Sequence, residues 1–168
     1  MIRKGKSEDL YTLMEIVKET VKIMEEEEND QWNETYPNME IFAADVQNSS
    51  LFVMEENGEI IGSITVDRNE PVEYGQISWR YFGPAYTFHR LVVNPFARKN
   101  GAASNLIRYA EKVAIENGIP YLRIDTYSLN VKAQRLFTKL GYQKAGEMSF
   151  HGKKLPFYCY EKRLEKKR

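Results

Sequence analysis

Apolar residues recur every three or four positions near the start of the chain. This spacing over residues 8–27 predicts an amphipathic helix, preceded by a short strand at residues 1–4. Ser7 is the expected helix N-cap, because its hydroxyl can accept a hydrogen bond from a backbone N–H of the first turn. A shorter helix is expected over residues 39–48. The chain is therefore expected to begin with a strand and two helices.

Apolar segments typical of strands follow in the middle of the chain. The predicted strands are residues 51–54, 60–66, 74–80 and 88–93. Asn57-Gly58 lies between the first two and is typical of a tight hairpin turn, since both residue types tolerate positive φ. The segment 88–93 is apolar except for His89 and Arg90, a pattern typical of a strand buried on both faces.

Helices and strands alternate in the second half of the chain. The predicted elements are a helix from Gly101 to Asn117-Gly118, a strand at 121–126, a helix at 131–140, and strands near 142–149 and 156–163. This alternation predicts an α/β fold with a mixed sheet. The sequence has no internal repeat and no linker long enough to divide it, so one domain over residues 1–168 is expected.

Composition narrows the class of protein. The 168 residues include 42% hydrophobic and 29% charged residues, which is typical of a soluble globular domain. The 24 Lys and Arg residues balance 24 Asp and Glu residues, whereas nucleic-acid binding usually requires a surplus of positive charge. One cysteine and two histidines exclude an internal disulfide and make a metal site unexpected. With no long apolar run, we expect no signal peptide, no membrane span and a cytoplasmic location.

One loop between a predicted strand and a predicted helix carries the clearest chemical signal. Its sequence is Leu91-Val92-Val93-Asn94-Pro95-Phe96-Ala97-Arg98-Lys99-Asn100-Gly101-Ala102-Ala103. Backbone N–H groups at a helix N-terminus have no partner within the helix, and the helix dipole favours negative charge there. Gly101 and Ala103 allow close approach to the backbone, and Arg98 and Lys99 add positive charge. The loop is a candidate pyrophosphate site, although a tight turn that binds nothing would have the same spacing.

A second motif follows the first. It reads Asn130-Val131-Lys132-Ala133-Gln134-Arg135-Leu136-Phe137-Thr138-Lys139-Leu140-Gly141-Tyr142. With these two motifs in this order, the chain resembles the GNAT superfamily of acetyl-CoA-dependent N-acetyltransferases over most of its length, most closely over residues 87–143. The resemblance implies a GNAT-like mixed, mostly antiparallel central sheet flanked by helices, with central strands that splay apart. It also implies acetyl-CoA as the acetyl donor and no metal.

The resemblance further implies which residues bind acetyl-CoA. They are Leu91, Val92, Val93, Arg98, Lys99, Asn100, Gly101, Ala102, Ala103, Ser104, Asn130, Ala133 and Phe137. Backbone groups of residues 91–93 would pair with the pantetheine arm like another strand, and N–H groups of residues 98–104 would hold the pyrophosphate. Asn130 would contact the cofactor through its side-chain amide. Peptide N–H groups where the strands splay would polarise the thioester carbonyl.

Transfer to an amine also requires a proton acceptor, because an amine with a pKa of about 10 is mostly protonated at neutral pH. His89 lies where the arylalkylamine branch of the family has a histidine that takes part in proton removal. A buried histidine bonded within the sheet is the alternative interpretation. Glu73 and Asp125 are the other candidate bases.

The CoA thiolate that leaves also benefits from a proton donor. Many relatives use a tyrosine at the position where this chain has Phe137, which has no hydroxyl group. Tyr127 is the first candidate in its place, and Tyr142, Tyr158 or water are the alternatives. A thiolate is a tolerable leaving group, so activity does not depend strictly on this donor.

Candidate acceptor-binding residues follow the first helix. An acidic run at residues 25–28 precedes Trp32 and Tyr36, in a segment that often forms one wall of the acceptor pocket in the family. Carboxylates there would attract a cationic amine, and an aromatic ring could stack on it. A solvated helix end is the alternative interpretation. Trp79 would either face the acceptor or serve only in packing.

Three functions fit these features. The first is an N-acetyltransferase that moves the acetyl group to a primary amine by direct attack in a ternary complex, with a small-molecule amine favoured. The second is a protein N-terminal or lysine acetyltransferase, which would need an open groove. The third is a sensor that binds acyl-CoA without turnover, an alternative that Phe137 in place of tyrosine leaves open. A homodimer would be consistent with the family, and neither nucleic acid nor membrane is an expected partner.

Overall fold

The protein is described by a computed structural model that covers residues 1–97 and 101–164. The α-helices are α1 (Leu10–Glu26), α2 (Met39–Gln47), α3 (Ala102–Glu116) and α4 (Val131–Lys139). The strands are β1 (Ile2–Lys4), β2 (Leu51–Glu56), β3 (Glu59–Asp67), β4 (Thr87–Val93), β5 (Tyr121–Tyr127), β6 (Gln143–Met148) and β7 (Phe157–Arg163). Two short 3-10 helices span Ser7–Asp9 and Val72–Gln76.

The first of two compact units consists of Met1–Val66 and His89–Ala110. Its sheet has the strand order β1-β2-β3-β4, and β2 pairs antiparallel with both β1 and β3. Asn57 and Gly58 form the turn between β2 and β3 with φ angles of +52° and +79°, as the sequence predicts. The turn therefore fixes this hairpin through local residue preference.

The core of the first unit joins the sheet to α1 and α2. Leu13 on α1, Phe42 on α2, Val53 on β2 and Val92 on β4 are all buried in one cluster. Each large apolar side chain buried in this way stabilises the fold by about 1.5–3 kcal/mol. The apolar stripe of α1 therefore positions that helix against the sheet.

The second compact unit consists of Asp67–Phe88 and the residues from Glu111 onward. Its sheet has the strand order β5-β7-β6 with antiparallel pairing on both sides of β7. A parallel bridge also pairs Tyr86 with Leu122 on β5. His151 and Gly152 form a turn within the loop between β6 and β7, with φ angles of +54° and +66°.

The strand expected at residues 74–80 is wrong, because Val72–Gln76 is a 3-10 helix. The Tyr74 N–H donates to the Pro71 carbonyl at 3.0 Å, and the Ile77 N–H donates to the Tyr74 carbonyl at 3.2 Å. Such a helix brings residues three positions apart onto one side. Tyr74 and Ile77 are both buried in the core of the second unit. The apolar residues of this segment therefore belong to a turn packed on the core.

The start of the first helix also differs from the expectation. Ser7 is the first residue of the 3-10 helix rather than the N-cap. The Asp9 carboxylate instead accepts the Lys6 N–H at 2.8 Å, and the Arg3 guanidinium binds the same carboxylate at 2.8 and 2.9 Å. The Arg3 hydrogen bonds hold the pKa of Asp9 below its ordinary value. Arg3, six positions before Asp9, therefore binds the same carboxylate that accepts the Lys6 N–H.

The core of the second unit makes the fold sensitive to alkaline pH. Cys159 is fully buried, and burial raises the pKa of its thiol from about 9 to about 12. Burial also raises the pKa of the Tyr121 phenol to about 12. Above pH ~9 the unfolded chain loses protons that the folded chain retains, so the free energy of unfolding falls as pH rises. We expect urea unfolding to show a fall of about 1–2 kcal/mol from pH 8 to pH 10.

A Cys159→Ala variant is the control for this pH dependence. Its fall should be smaller by about 1 kcal/mol, because the buried thiol that can ionise on unfolding is gone. Comparing each protein with itself at the two pH values removes the constant cost of the smaller side chain. An unchanged pH dependence in the variant would show that the buried thiol is not its source.

Candidate functional site

The second half of β4 lies at one edge of the sheet in the first unit. β4 is the last strand of the order β1-β2-β3-β4. Leu91 and Val93 are half-buried, whereas Val92 between them is buried in the core. The expectation of a strand buried on both faces is therefore wrong for this part of β4. The Asn94 N–H donates to the Ile61 carbonyl at 2.7 Å, which extends the pairing with β3 past the end of β4. Because an edge strand leaves backbone groups unpaired on its outer side, β4 can accept another extended chain.

Gly101 lies directly before α3. It has a φ of +93°, which favours glycine, and its carbonyl accepts the Asn105 N–H at 2.9 Å. Apart from its chain neighbours, no described residue has an atom within 4 Å of the position that a Cβ on Gly101 would occupy. Ala102 is buried, and Ala103 and Ser104 are half-buried. These small side chains and the N–H groups of the first turn leave room for an anion at the helix start.

The remaining part of the expected phosphate loop is not described. Arg98, Lys99 and Asn100 lie outside the described residues. The fit of acetyl-CoA to this unit therefore depends on two observations: the place of β4 as the last strand of its sheet among the described residues, which suits an extended pantetheine, and the small residues at the start of α3, which suit a pyrophosphate.

The sequence pattern does not identify Gly62 as important, yet it sets how closely β3 approaches β4. A Cβ on Gly62 would lie 2.6 Å from the Val92 carbonyl oxygen and 3.3 Å from the Val93 Cα. It would also lie 3.4 Å from a Leu106 methyl carbon on α3. Glycine inside a strand often marks a close backbone approach, so the signal available in the sequence is its position within residues 60–66.

His89 and Arg90 occupy the middle of β4 and are both half-buried. Arg90 has a φ of +50°. Its guanidinium donates from Nε to Asp45 Oδ2 at 2.9 Å and from Nη2 to Asp45 Oδ1 at 2.7 Å. Burial alone would lower the pKa of Arg90, but the negative charge of Asp45 outweighs it and the pKa is raised. The structure therefore places a firmly held cation next in sequence to the candidate base.

The aromatic residues expected at the acceptor pocket have different environments. Trp32 is 6% exposed and belongs to the core of the first unit. Tyr36 is half-buried, and its phenol forms a hydrogen bond with the Arg90 side chain. The acidic run at residues 25–28 is exposed. Packing therefore accounts for Trp32, while Tyr36 and the acidic run are the better candidates for contact with an acceptor.

The second motif begins at Asn130, in the second unit. The Asn130 side-chain oxygen accepts the Ala133 N–H at 3.2 Å and caps α4. The Gln134 amide donates to the Ser128 carbonyl at 2.8 Å, which ties the helix to the preceding turn. Ala133 is half-buried. The asparagine and alanine of the motif therefore shape the start of α4.

Phe137 is a packing residue of the second unit. It is 4% exposed, and its ring centroid lies 5.7 Å from Phe88, 6.1 Å from Tyr142 and 5.7 Å from Tyr160. The Tyr142 hydroxyl donates to a Glu111 carboxylate oxygen at 2.7 Å. Tyr142, one alternative proton donor, is therefore held by a carboxylate within this cluster.

The other second-unit candidates also have structural contacts. Tyr127 is 3% exposed, with its ring centroid 5.0 Å from that of Phe157. The Trp79 indole N–H donates to the Tyr74 carbonyl at 2.9 Å. The Tyr74 hydroxyl in turn donates to Asp125 at 2.5 Å. Local sequence does not reveal the Tyr127–Phe157 and Tyr74–Asp125 contacts, because each joins residues that are far apart in the chain.

Comparison with known proteins identifies the family. A model of the acetyltransferase (GNAT) family matches residues 13–142. A GNAT-family acetyltransferase from Streptococcus agalactiae shares 26% identity with a TM-score of 0.87, covering 99% of this chain and 96% of that chain. A putative acetyltransferase from Staphylococcus aureus Mu50 shares 34% identity with a TM-score of 0.77, covering 98% and 99%. A putative acetyltransferase from Salmonella typhimurium, solved with acetyl-CoA, shares the fold at 17% identity and a TM-score of 0.71, covering 100% and 95%.

The chain belongs to the GNAT acetyltransferase family, since the family match spans most of its length and includes both motifs. It is an acetyl-CoA-dependent N-acetyltransferase, and the predicted α/β fold with antiparallel sheets flanked by helices is confirmed. Within the described residues, no helix is long and apolar enough to cross a membrane. The same part of the chain contains no group of three His, Cys, Asp or Glu side chains placed to hold a metal ion.

Proposed function

We propose that this enzyme transfers the acetyl group to a primary amine on a small molecule, by direct attack within a ternary complex. The observation that carries the proposal is the edge strand β4, which ends in half-buried Leu91 and Val93 and is followed by Gly101 at the start of α3. Pantetheine can pair with the outer side of β4, the last strand of its sheet, as a further strand would. The N–H groups of residues 101–104 lie at the positive end of the helix dipole, which suits a pyrophosphate.

The other acetyl-CoA contacts are proposed from the resemblance of the two motifs to the family. Arg98, Lys99 and Asn100 would complete the pyrophosphate loop. Asn130 would contact the pantetheine through its amide, with Ala133 and Phe137 on the same helix α4. When bound, acetyl-CoA supplies the activated acetyl group that an amine can attack.

A small cationic amine is favoured as acceptor because of the segment that follows α1. The glutamates at residues 25–28 are exposed, and Tyr36 is half-buried in the same unit. Carboxylates attract an ammonium ion over several ångströms, and an aromatic ring can contact it directly. This segment therefore offers both long-range attraction and a short-range contact.

Two residues are proposed to move protons. His89 accepts the proton that the amine nitrogen loses as it bonds to the acetyl carbon. The carbon–sulfur bond breaks in the same transfer, and Tyr127 donates a proton to the CoA sulfur that departs. Because Tyr127 is buried in the core of the second unit, water is the alternative donor.

A panel of amines tests the acceptor. We expect thiol release from acetyl-CoA with small amines such as polyamines, amino acid amides or aminoglycosides, and intersecting initial-rate lines when both substrates are varied. Parallel lines would contradict direct transfer, because they indicate an acyl-enzyme. Release only with N-terminal or lysine peptides would favour a protein acceptor. Binding of acetyl-CoA without release by any amine would favour a sensor.

A further inference from the structure

Arg90 interrupts the regular backbone of β4. Its φ of +50° lies in the left-handed region, where a residue with a Cβ is disfavoured, and Arg90 is not among the types that enter it readily. It lies between His89 and Leu91 in the strand that ends in the half-buried edge segment. An unfavourable conformation at such a position persists only when surrounding contacts hold it.

Contacts of the Arg90 side chain stabilise this backbone conformation. Its two hydrogen bonds to Asp45, at 2.9 and 2.7 Å, engage both carboxylate oxygens, and both side chains are largely buried. Asp45 lies on α2 and also accepts the Thr65 hydroxyl of β3 at 2.8 Å, so the carboxylate is itself anchored. The Tyr36 phenol also forms a hydrogen bond with the Arg90 side chain. The planar, two-point match of arginine to carboxylate fixes direction as well as distance.

We propose that Asp45 and Arg90 are positioning residues: their two-point ion pair keeps β4 in the left-handed conformation at residue 90, so that the backbone of Leu91–Val93 is presented correctly to acetyl-CoA. Through Tyr36, the same guanidinium ties the segment after α1 to this strand. The proposal rests on the proposed placement of acetyl-CoA along β4. Without the pair, β4 relaxes towards an ordinary strand, and the direction of the backbone groups that follow changes.

Comparing Arg90→Gly with Arg90→Ala separates backbone positioning from side-chain packing. Both variants remove the guanidinium and leave the Asp45 carboxylate with its hydrogen bond from the Thr65 hydroxyl. Glycine adopts positive φ readily and alanine does not, whereas glycine is the worse residue in an ordinary strand. We expect the Kd for acetyl-CoA, measured by calorimetry, to rise about tenfold more in Arg90→Ala than in Arg90→Gly, as about 1.4 kcal/mol of left-handed strain predicts.

Arg3→Ala is the matched control for losing an ion pair. Arg3 binds both oxygens of Asp9 at 2.8 and 2.9 Å and Glu55 at 3.0 Å in the same unit, outside the proposed site. This variant should unfold at a lower temperature but bind acetyl-CoA as the wild type does. Asp45→Asn keeps the size of the side chain but loses the charge, and it should weaken acetyl-CoA binding.

Three outcomes decide the proposal. Weaker binding by Arg90→Ala than by Arg90→Gly, well below both unfolding temperatures, supports it. Equal binding, or weaker binding by Arg90→Gly, overturns it while leaving the acetyl-CoA site in place. Wild-type protein that does not bind acetyl-CoA overturns the proposed site and this inference together. If Arg90→Ala does not fold, Arg90→Asn and Arg90→Thr repeat the comparison, because asparagine enters the left-handed region far more readily than a β-branched residue.

Discussion

A Gly101→Glu variant is expected to lose acetyl-CoA binding, with the affinity falling at least about a thousandfold, or about 4 kcal/mol. The new carboxylate would lie at the start of α3, where the N–H groups are proposed to hold a pyrophosphate. It would repel that anion and compete with it for the same donors. Calorimetric titration with acetyl-CoA, which we expect to bind the wild type with a Kd of about 1–100 µM, measures the loss.

Two variants separate the charge from the backbone. Gly101→Ala carries the same strain at φ +93° without the charge, so its loss of affinity should be much smaller. Gly118→Glu adds the same charge at φ +72° beyond the other end of α3, again with no described neighbour within 4 Å of the new Cβ. It should lower stability but retain acetyl-CoA binding. Wild-type affinity in Gly101→Glu would rule out the helix start as the phosphate site.

A Gly62→Ala variant is expected to weaken acetyl-CoA binding about a hundredfold, because small displacements of binding groups have effects of this order. The added Cβ would lie 2.6 Å from the Val92 carbonyl oxygen, which is backbone and cannot rotate away. β4 must therefore shift, and Leu91 and Val93 shift with it. Overpacking of this kind should also lower the free energy of unfolding by about 1–3 kcal/mol.

Gly75→Ala is the matched control for this substitution. Gly75 is exposed in the second 3-10 helix, and no described residue has an atom within 4 Å of its would-be Cβ. This variant should stay within about 0.5 kcal/mol of the wild type and bind acetyl-CoA normally. Calorimetry and urea unfolding measured on both variants give the comparison. If Gly62→Ala binds acetyl-CoA as Gly75→Ala does, the spacing of β3 and β4 does not control the site.

The parts of the fold that follow from short-range pattern were predictable from sequence. Helical spacing identifies α1 and α3, and Asn57-Gly58 identifies a hairpin, because each depends on neighbouring residues alone. The prediction of a strand at residues 74–80 is wrong because that segment depends on packing with residues far away in the chain. A few apolar residues fit a strand or a packed turn equally well, and only the core around Tyr74 decides between them.

In the candidate site, too, only the residues whose role depends on their near neighbours were predictable from sequence. Gly101 is recognisable because a glycine between a predicted strand and a predicted helix indicates a candidate anion site at the helix start. The Asp45–Arg90 pair is not recognisable, since its members are 45 positions apart and no spacing rule connects them. Likewise, sequence treats Trp32 and Tyr36 as equivalent aromatic residues. The packing of α1 and α2 decides their burial. It makes Trp32 a core residue and leaves Tyr36 half-buried.

The buried position of Cys159 has a practical consequence for assays with thiol reagents. The chain has one cysteine, its side chain is not exposed, and only the thiolate of a cysteine reacts quickly. A disulfide reagent added to the native enzyme therefore reports the CoA sulfur released in turnover, with little background from the protein. Added in denaturant, the same reagent titrates one sulfur for each opened chain, so a single colour reaction follows both turnover and unfolding.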